Sequence, residues 1–306
     1  MITILTVVGP TASGKTGYAI KQATACGGEI ISVDSRQIYH GMAIGTCQPT
    51  VQELAEVPHH LVGILDPREK IDAGKYDQLV RDKIRELHKA GIQPILCGGT
   101  GLYVRALRLG LAPHGPSDPK LRQDIVNRIE RDGAQAVLDE LLALDPVAAE
   151  GIHPNNKQRL VRALEIVLSS EVAPAGRREW NDSDLERDSE AKAIIIDGVG
   201  EVKFDLVGLL WPRDQLYDRI NARVDIMLEQ GWLKEVQGLL ESGLTLEHHA
   251  MQGVGYAELA RVLDGELELD TALATIKQRS RNFAKRQLTW YRREPVRWLD
   301  PALAFD

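Results

Sequence analysis

Cysteine is scarce in this sequence and never occurs in the short paired motifs that bind zinc. The three cysteines, Cys26, Cys47 and Cys97, lie far apart and form no Cys-x-x-Cys motif. This spacing excludes a zinc ribbon or finger and predicts reduced thiols in a reducing compartment. Long apolar runs are also missing, so no membrane-spanning helix of about 20 residues is expected. Because no basic segment precedes the first apolar stretch, we expect a cytoplasmic protein without a secretory signal.

The chain as a whole has no excess of positive charge, but one segment near its C-terminus does. The formal net charge is −7, which by itself does not indicate a nucleic-acid partner. Residues 277–297, here called the basic segment, contain the acid Glu294 and the bases Lys277, Arg279, Arg281, Lys285, Arg286, Arg292, Arg293 and Arg297. Such a patch favours binding of a polyanion. The alternative is an ordinary solvated helix face.

Apolar strands alternate with helical patterns in the N-terminal part of the chain. Runs of β-branched residues predict buried parallel strands, and apolar residues spaced three and four apart predict helices. The predicted elements are a strand over 2–8, a helix over 16–25, a strand over 29–33, a helix over 73–90 and a strand over 92–97. This alternation is typical of a parallel sheet with helices on both faces. The predicted fold class is α/β, with a P-loop-type sheet core.

The sequence pattern changes near residue 110. Helices are predicted over 120–132, 134–143 and 156–169, followed by a polar, charged loop over 177–190. Strand-like runs return at 193–196 and 204–210, and the chain from 211 onward is mostly helical. A composition shift of this kind marks a domain boundary. We therefore assign residues 1–110 and 200–306 to the α/β core with its helical C-terminal part, and residues 111–199 to a helical insertion.

A glycine-rich motif follows the first predicted strand and opens the first predicted helix. It matches G-x-x-x-x-G-K-[ST] and consists of Gly9, Pro10, Thr11, Ala12, Ser13, Gly14, Lys15 and Thr16. Glycines let successive backbone N–H groups point into one concavity, and the helix N-terminus adds partial positive charge, so such a loop binds phosphates. Lys15 is expected to reach the outer phosphates, and the Thr16 hydroxyl is the expected Mg²⁺ ligand.

A polar segment, 34–39, follows the second predicted strand. Because the carboxyl ends of parallel strands border the ligand crevice, Asp34 is expected beside the phosphate loop. There it can organise magnesium or act as a general base, and the residues alone leave both roles open. For His59 and His60, which have no third ligand at metal spacing, we expect packing or hydrogen bonding rather than metal binding.

The order of these motifs resembles that of the tRNA dimethylallyltransferases, or isopentenyl-tRNA transferases, of bacterial type. The similarity covers nearly the whole chain and is far more specific than the phosphate loop alone. Besides that loop, the matching segments are 34–39, 41–42, 44–46, 58–61, 98–103, 153–155, 158–165, 212–220, 250–256 and 285–290. The sequence departs from the family pattern at Cys47-Gln48, where Ala-Lys is usual, and this difference removes a cation.

The resemblance implies transfer of a dimethylallyl group from dimethylallyl diphosphate to the exocyclic amine of the adenosine 3′ of the anticodon in tRNA. The phosphate loop would hold the diphosphate, with Lys15, Arg213 and a Mg²⁺ ion on Thr16 neutralising the charge of the leaving group. Asp34 matches the family's base, which takes the proton from the adenine amine. A monomer is expected.

The resemblance also implies tRNA-binding positions in both predicted domains. They are Asp34, Ser35, Arg36, Gln37 and Thr100 in the core, and Arg122, Gln158, Arg159, Leu160, Val161 and Arg162 in the insertion. Gln158 and Arg162 share a helix face, where a guanidinium group suits RNA phosphates, while Leu160 and Val161 are expected to pack inward. The structural alternatives are a capped turn at 34–37, a tight turn at Thr100 and an ordinary soluble helix face at 158–162.

Three other functions share parts of this pattern. An adenylate isopentenyltransferase would prenylate a free nucleotide on the same core, but it needs neither the insertion nor the basic segment. A small-molecule kinase would place ATP in the phosphate loop, and it would also need an arginine-rich lid. A nucleotide-gated RNA-binding module would bind RNA without prenyl transfer.

Overall fold

The computed structural model describes residues 1–110, 118–169 and 193–304 of the chain. The chain divides into two compact units, one formed by Met1–Leu109 with Ser189–Asp306 and the other by Gly110–Asp188. We call them the core unit and the helical unit. The polar loop predicted over 177–190 lies outside the described residues.

The core unit is built on a seven-stranded sheet with the order β3-β2-β4-β1-β6-β5, in which β7 also pairs with β6. The strands are β1 (Ile2–Val8), β2 (Glu29–Ser32), β3 (His59–His60), β4 (Pro94–Cys97), β5 (Ile194–Ile196), β6 (Gly200–Leu209) and β7 (Arg297–Leu299). All neighbouring strands are parallel except β5 and β6. The predicted α/β class with a parallel sheet is therefore confirmed.

One edge of the sheet differs from the parallel pattern that the sequence predicts. Strands β5 and β6 form an antiparallel hairpin in which Ile194 lies opposite Val202. Gly198 allows the tight connection because it adopts a φ of 79°, which is costly for residues with a Cβ. Residues 194–196, predicted as part of the insertion, thus pair within the sheet of the core unit, and residues 197–199 form the turn that leads into β6.

Thirteen α-helices lie within the described ranges, together with a short 3₁₀ helix at His249–Gln252. They are α1 (Lys15–Cys26), α2 (Val51–Glu56), α3 (Ala73–Lys89), α4 (Gly101–Leu109), α5 (Pro119–Asp132), α6 (Ala134–Leu144), α7 (Pro146–Ala149), α8 (Lys157–Ser169), α9 (Arg213–Glu229), α10 (Trp232–Glu241), α11 (Tyr256–Leu263), α12 (Leu269–Tyr291) and α13 (Pro301–Ala304). None of the described helices is both long and apolar enough to span a bilayer.

Hydrophobic clusters cover both faces of the sheet. Successive residues of a strand point to opposite faces, so Ile30 and Ile31 of β2 pack into different clusters. Ile31 joins Tyr76 and Ile84 of α3, whereas Ile30 joins Ala19 of α1. Helices therefore lie on both faces of the sheet, and the carboxyl ends of its parallel strands stay available for a binding site.

The helical unit has its own hydrophobic core. Helices α5, α6 and α8 contribute buried residues that include Ile125, Leu141, Leu160 and Leu164. Helix α5 begins at Pro119, and the carboxylate of Asp118 caps it by accepting hydrogen bonds from the backbone N–H groups of residues 120 and 121. The predicted helices at 120–132, 134–143 and 156–169 correspond closely to α5, α6 and α8.

Candidate active site

The phosphate loop connects the carboxyl end of β1 to the start of α1. Gly9 and Gly14 adopt φ values of 127° and 92°, which turn the backbone so that α1 begins at Lys15. Lys15 Nζ donates a hydrogen bond of 2.6 Å to the carbonyl oxygen of Pro10. The Ser13 hydroxyl is buried without a hydrogen-bond partner in the described structure. The loop therefore has the strand–loop–helix setting that its sequence motif requires.

Three side chains from distant parts of the chain hold the phosphate loop in place. Gln287 Oε1 accepts a 2.8 Å hydrogen bond from the backbone N–H of Thr11, and Gln287 Nε2 donates to the carbonyl of Gly99 at 3.0 Å. Trp211 Nε1 donates to the Ser13 carbonyl at 2.8 Å, and Arg219 Nε donates to the Ala12 carbonyl at 2.9 Å. No local sequence motif marks these three residues as parts of the site. Their only signal was that Gln287 and Arg219 lie in family-like segments.

Lys15 lies in a desolvated position beside other charged groups. Burial, with a smaller contribution from Arg223, lowers the pKa of Lys15 to about 8, although Cys97 and the Asp34 carboxylate oppose the change. The cation and the carboxylate are therefore close enough to interact, as expected for two groups at the carboxyl edge of a parallel sheet. A bound anion at this position would stabilise the charged form of the lysine.

Arg213, which the resemblance assigns to the diphosphate, lies at the first turn of α9 and is exposed. Its Nε donates to the Tyr217 hydroxyl at 3.1 Å, and its guanidinium group lies 5.2 Å from the centre of the Tyr217 ring. Two other cations of α9 are linked to the phosphate loop: Arg219 hydrogen-bonds to it, and Arg223 contributes to the lowered pKa of Lys15. The role of Arg213 at the diphosphate stays a prediction.

Asp34 follows β2 and closes a short turn with its own carboxylate. Asp34 Oδ1 accepts hydrogen bonds from the backbone N–H groups of Arg36 at 2.9 Å and Gln37 at 3.4 Å. For Oδ2 no hydrogen-bond partner is found among the described residues. The buried Tyr76 hydroxyl hydrogen-bonds to the backbone of Asp34, which fixes the start of the turn. One carboxylate oxygen therefore orients the side chain, and the other is left for a ligand.

The neighbours of Asp34 are also held by the protein. Thr100 Oγ1 accepts a 3.0 Å hydrogen bond from the Ser35 backbone N–H, and Arg36 Nη1 donates to the His249 carbonyl. Gln37 Nε2 donates to the Cys47 carbonyl at 2.7 Å, while Gln37 Oε1 accepts from the Ser32 hydroxyl at 2.9 Å. These contacts give Arg36, Gln37 and Thr100 structural roles, and their contacts with tRNA stay a prediction.

Cys47 and Gln48, which replace the usual Ala-Lys pair, have definite partners. Gln48 Nε2 donates to the carbonyl oxygens of Gln37 and Tyr39, both at 2.8 Å. Burial raises the pKa of the Cys47 thiol, and the nearby Arg223 opposes this rise. Gln48 thus stabilises the turn after Asp34 through neutral hydrogen bonds.

The predicted tRNA-binding residues of the helical unit divide into buried and exposed groups. Leu160 and Val161 are buried in the hydrophobic core of the unit, so their side chains fix α8 and do not face a solvent-borne ligand. Their place among the tRNA-binding positions stays a prediction. Gln158 and Arg159 are exposed, and Arg122 and Arg162 are partly exposed and donate to the same carboxylate, that of Glu165.

Internal ion pairs neutralise part of the basic segment. Lys277 pairs with Asp225, Arg279 with Glu258 and Arg297 with Asp205. Lys285 and Arg286 line an open cavity of about 480 Å³, and Lys285 and Arg292 line another of about 980 Å³. The surface available to a polyanion is therefore smaller than the sequence suggests.

The two histidines of β3 have the packing and hydrogen-bonding roles expected of them. His60 Nε2 lies 2.5 Å from Glu29 Oε2, and His59 Nδ1 lies 2.8 Å from the Val57 carbonyl. Across the described ranges, no group of three His, Cys, Asp or Glu side chains is arranged to hold a metal ion.

A phosphate loop at the end of β1, followed directly by the N-terminus of α1, is the setting in which α/β proteins bind phosphate groups. The family model for IPP transferase matches residues 37–294. The chain belongs to this family. It is a prenyltransferase, and the predicted resemblance is confirmed.

Relatives and solved structures match nearly the whole chain. The tRNA dimethylallyltransferase of Syntrophobacter fumaroxidans is 41% identical over 300 residues, covering 98% of this chain and 84% of that protein. That of Bacillus subtilis is 40% identical over 299 residues, covering 97% and 90%. The crystal structure of the full-length tRNA isopentenylpyrophosphate transferase from Bacillus halodurans has a TM-score of 0.68 at 38% identity, covering 98% and 90%. A eukaryotic dimethylallyltransferase acting on tRNA has a TM-score of 0.77 at 26% identity, covering 98% and 74%.

Proposed function

We propose that the chain transfers a dimethylallyl group from dimethylallyl diphosphate to the exocyclic amine of the adenosine 3′ of the anticodon in tRNA. The products are N6-isopentenyladenosine and diphosphate. Family membership supports transfer of a dimethylallyl group to tRNA. The observation that carries the chemistry is that the phosphate loop with Lys15 follows β1 and Asp34 follows β2, two parallel strands that lie on either side of β4, and that Asp34 raises the pKa of Lys15 against the effect of burial. Such a site offers a cation for a leaving diphosphate and a carboxylate for a proton.

The phosphate loop is the proposed diphosphate site. Breaking the bond between the dimethylallyl carbon and the diphosphate oxygen leaves negative charge on that oxygen. The backbone N–H groups of Gly9 and of residues 12–16, together with the cations of Lys15, Arg213 and Arg223, stabilise this charge. The N-terminal end of α1 adds its partial positive charge at the same place.

Mg²⁺ is the proposed cofactor, and the oxygen atoms of the loop suit it. Mg²⁺ prefers oxygen ligands and is usually held by one or two protein groups together with substrate phosphates. The Thr16 hydroxyl makes no hydrogen bond among the described residues and lies in the first turn of α1. Thr16 would hold the ion, which when bound neutralises charge on the diphosphate.

Asp34 is the proposed general base. As the new C–N bond forms, the adenine amine must lose a proton, and Asp34 Oδ2 is the oxygen left without a partner in the described structure. Oδ1 stays bound to the backbone of the 35–37 turn and keeps the carboxylate oriented. Ser35 and Thr100 hold the turn itself.

The proposed RNA contacts lie on both units. They comprise Arg122 and residues 158–162 of the helical unit, the 34–37 turn with Thr100, and the cations of the basic segment that line the two cavities. Guanidinium and ammonium groups contact phosphates, which fix the position of an RNA. With tRNA as substrate, we expect a cytoplasmic enzyme, and we expect it to act as a monomer.

Incubation with radiolabelled dimethylallyl diphosphate tests the proposal directly. Unmodified tRNA should acquire label in the presence of Mg²⁺, whereas a tRNA with guanosine at the position 3′ of the anticodon should not. Labelling of free adenosine monophosphate instead would identify an adenylate isopentenyltransferase. Phosphoryl transfer from ATP without prenyl transfer would identify a kinase, and binding of tRNA without either reaction would identify a binding module.

The affinity for dimethylallyl diphosphate should fall as the pH rises above about 8. Burial lowers the pKa of Lys15 to about 8, so the free enzyme loses this cation as the pH passes that value. The loss is at most about tenfold per pH unit. Isothermal titration between pH 7 and 10 measures the effect.

Unfolding does not account for such a loss. An unfolded lysine has a pKa of 10.5, so between pH 8 and 10.5 the unfolded state binds more protons through this residue, and Lys15 makes the folded state more stable as the pH rises. In Lys15→Ala the pH dependence should disappear. An equal pH dependence in that variant would assign the effect to another group.

Replacing Arg159 and Arg162 together by Ala should raise the apparent tRNA KM. The slope of log affinity for tRNA against log salt concentration should become less steep by about one to two units. Each phosphate contact that is lost leaves its counterions on the RNA, so fewer counterions are released when tRNA binds. The KM for dimethylallyl diphosphate should not change. Arg131→Ala is the matched control, because Arg131 is an exposed arginine of the same unit that pairs with Asp132. Unchanged tRNA affinity at every salt concentration would favour the adenylate-type enzyme.

A further inference from the structure

Glu165 of α8 is a buried carboxylate within the helical unit. Its side chain is 1% exposed, and its neighbours on the helix, Leu164 and Ile166, are buried apolar residues. A buried carboxylate is costly unless it is paired and hydrogen-bonded. Glu165 Oε2 accepts hydrogen bonds from Arg162 Nη1 at 2.9 Å and from Arg122 Nη1 at 3.1 Å. One carboxylate oxygen therefore binds two arginines.

The two arginines lie at the surface although their shared partner is buried. The side chains of Arg122 and Arg162 are 37% and 34% exposed, and they come from different helices, α5 and α8. Because both donate to the same oxygen, the two donor nitrogens lie within about 6 Å of each other. Each guanidinium group has five N–H donors, so each keeps several donors for an external acceptor.

We propose that Glu165 is a positioning residue for tRNA binding, holding Arg122 and Arg162 as a fixed pair of cations for the phosphates of the RNA backbone. This inference rests on the proposed function. Free arginine side chains lose rotamer freedom when they bind a phosphate. The shared carboxylate orders both side chains before RNA arrives, so less of this freedom is lost on binding.

Electrostatics and positioning predict opposite effects when the charge of Glu165 is removed. A carboxylate beneath two cations weakens their attraction for a phosphate, so on Coulombic grounds Glu165→Gln should bind tRNA more tightly. If Glu165 positions the arginines, the same substitution should weaken tRNA binding, because the neutral amide oxygen holds the guanidinium groups through weaker hydrogen bonds that are not charge-assisted. The sign of the change therefore separates the two roles.

Glu165→Gln should raise the tRNA KM and the dissociation constant of tRNA by about three- to tenfold, with kcat and the KM for dimethylallyl diphosphate unchanged. Thermal melting measures any loss of stability separately. Glu140→Gln is the matched control, since Glu140 is another carboxylate of the helical unit that pairs with an arginine, Arg128. This control should leave tRNA binding unchanged. Equal or tighter tRNA binding by Glu165→Gln would overturn the proposal.

A double-mutant cycle tests whether Glu165 acts through the arginines. In Arg122→Ala/Glu165→Gln, the loss of affinity should be smaller than the product of the two single losses, because residues that share an interaction are not additive. Independent, multiplicative losses would contradict positioning. Should Glu165→Gln fail to fold, Glu165→Asp keeps the charge and shortens its reach, and wild-type tRNA affinity in that variant would equally overturn the proposal.

Filter retention measures binding of tRNA directly, without prenyl transfer, so the test of Glu165 does not depend on the proposed reaction. Wild-type protein that binds tRNA without transferring label would refute the proposed function, while the comparison of Glu165 and Glu140 variants would still decide the positioning role. Wild-type protein that transfers label, with a Glu165→Gln variant that binds tRNA normally, would refute positioning alone.

Discussion

Asp34→Asn should lower turnover by about 10² to 10⁴, with binding of dimethylallyl diphosphate largely intact. The amide keeps the size of the side chain and an oxygen that can still accept from the backbone N–H groups of Arg36 and Gln37. It does not, however, accept a proton from the adenine amine as a carboxylate does. Single-turnover transfer of label to tRNA, measured with saturating substrates, gives the effect on the chemical step.

The control for Asp34→Asn is Asp66→Asn. Asp66 Oδ1 also accepts from the backbone N–H two residues later, that of Arg68, at 2.8 Å, but Asp66 lies in an exposed turn. This substitution should leave turnover unchanged. Asp34→Ala, which removes the turn contact as well, should be at least as slow as Asp34→Asn. Turnover near the wild-type rate in both Asp34 variants would remove Asp34 as the base.

Lys15→Ala and Thr16→Ala should each slow the reaction by a factor on the order of 10² or more. Lys15 stabilises charge on the departing diphosphate, and Thr16 would hold the Mg²⁺ ion. We therefore expect Lys15→Ala to weaken binding of the diphosphate and also to lower kcat. Thr16→Ala should raise the Mg²⁺ concentration needed for the half-maximal rate. Titrations of substrate and of Mg²⁺ distinguish these two outcomes.

Lys21→Ala is the control for these variants, because Lys21 lies on the same helix but donates its hydrogen bond to the Ala304 carbonyl. It should bind and react like the wild-type protein. The phosphate-loop assignment would be refuted if Lys15→Ala and Thr16→Ala both did the same. A loss of activity in all three variants would instead indicate that α1 as a whole had been destabilised.

The parts of the structure that the sequence predicted are those governed by local patterns. The strand expected over 2–8 is β1, and the glycine motif that follows it leads directly into α1. The apolar spacing over 73–90 likewise predicted α3, whose buried residues include Tyr76 and Val80. A continuous apolar run and a 3.6-residue period are properties of consecutive residues, so they can be found without knowledge of the fold.

Contacts between distant residues could not be predicted in this way. Gln287 binds the backbone of Thr11, although the two residues are far apart in the chain, and no local pattern predicts such a pair. Arg213, Arg219 and Arg223 all lie on α9, and their rotation about the helix axis decides which of them faces the phosphate loop. Only packing of α9 against the rest of the core unit sets that rotation.

Short edge elements were also beyond the sequence patterns. Strand β3 consists of His59 and His60 alone, which is too short for any periodicity to be recognised. Strand β5 has a recognisable apolar sequence, but its antiparallel direction depends on the tight turn that leads into β6. A strand's direction relative to its neighbours is a property of the connection, which composition does not specify.

The three contacts from Gln287, Trp211 and Arg219 have a thermodynamic consequence for ligand binding. They fix the backbone of the phosphate loop in the free protein. Ordering a flexible residue costs roughly 1–2 kcal/mol, so a loop that is already ordered spares this cost when the diphosphate arrives. The heat capacity change of that binding step should accordingly be small, since no segment folds as the ligand enters.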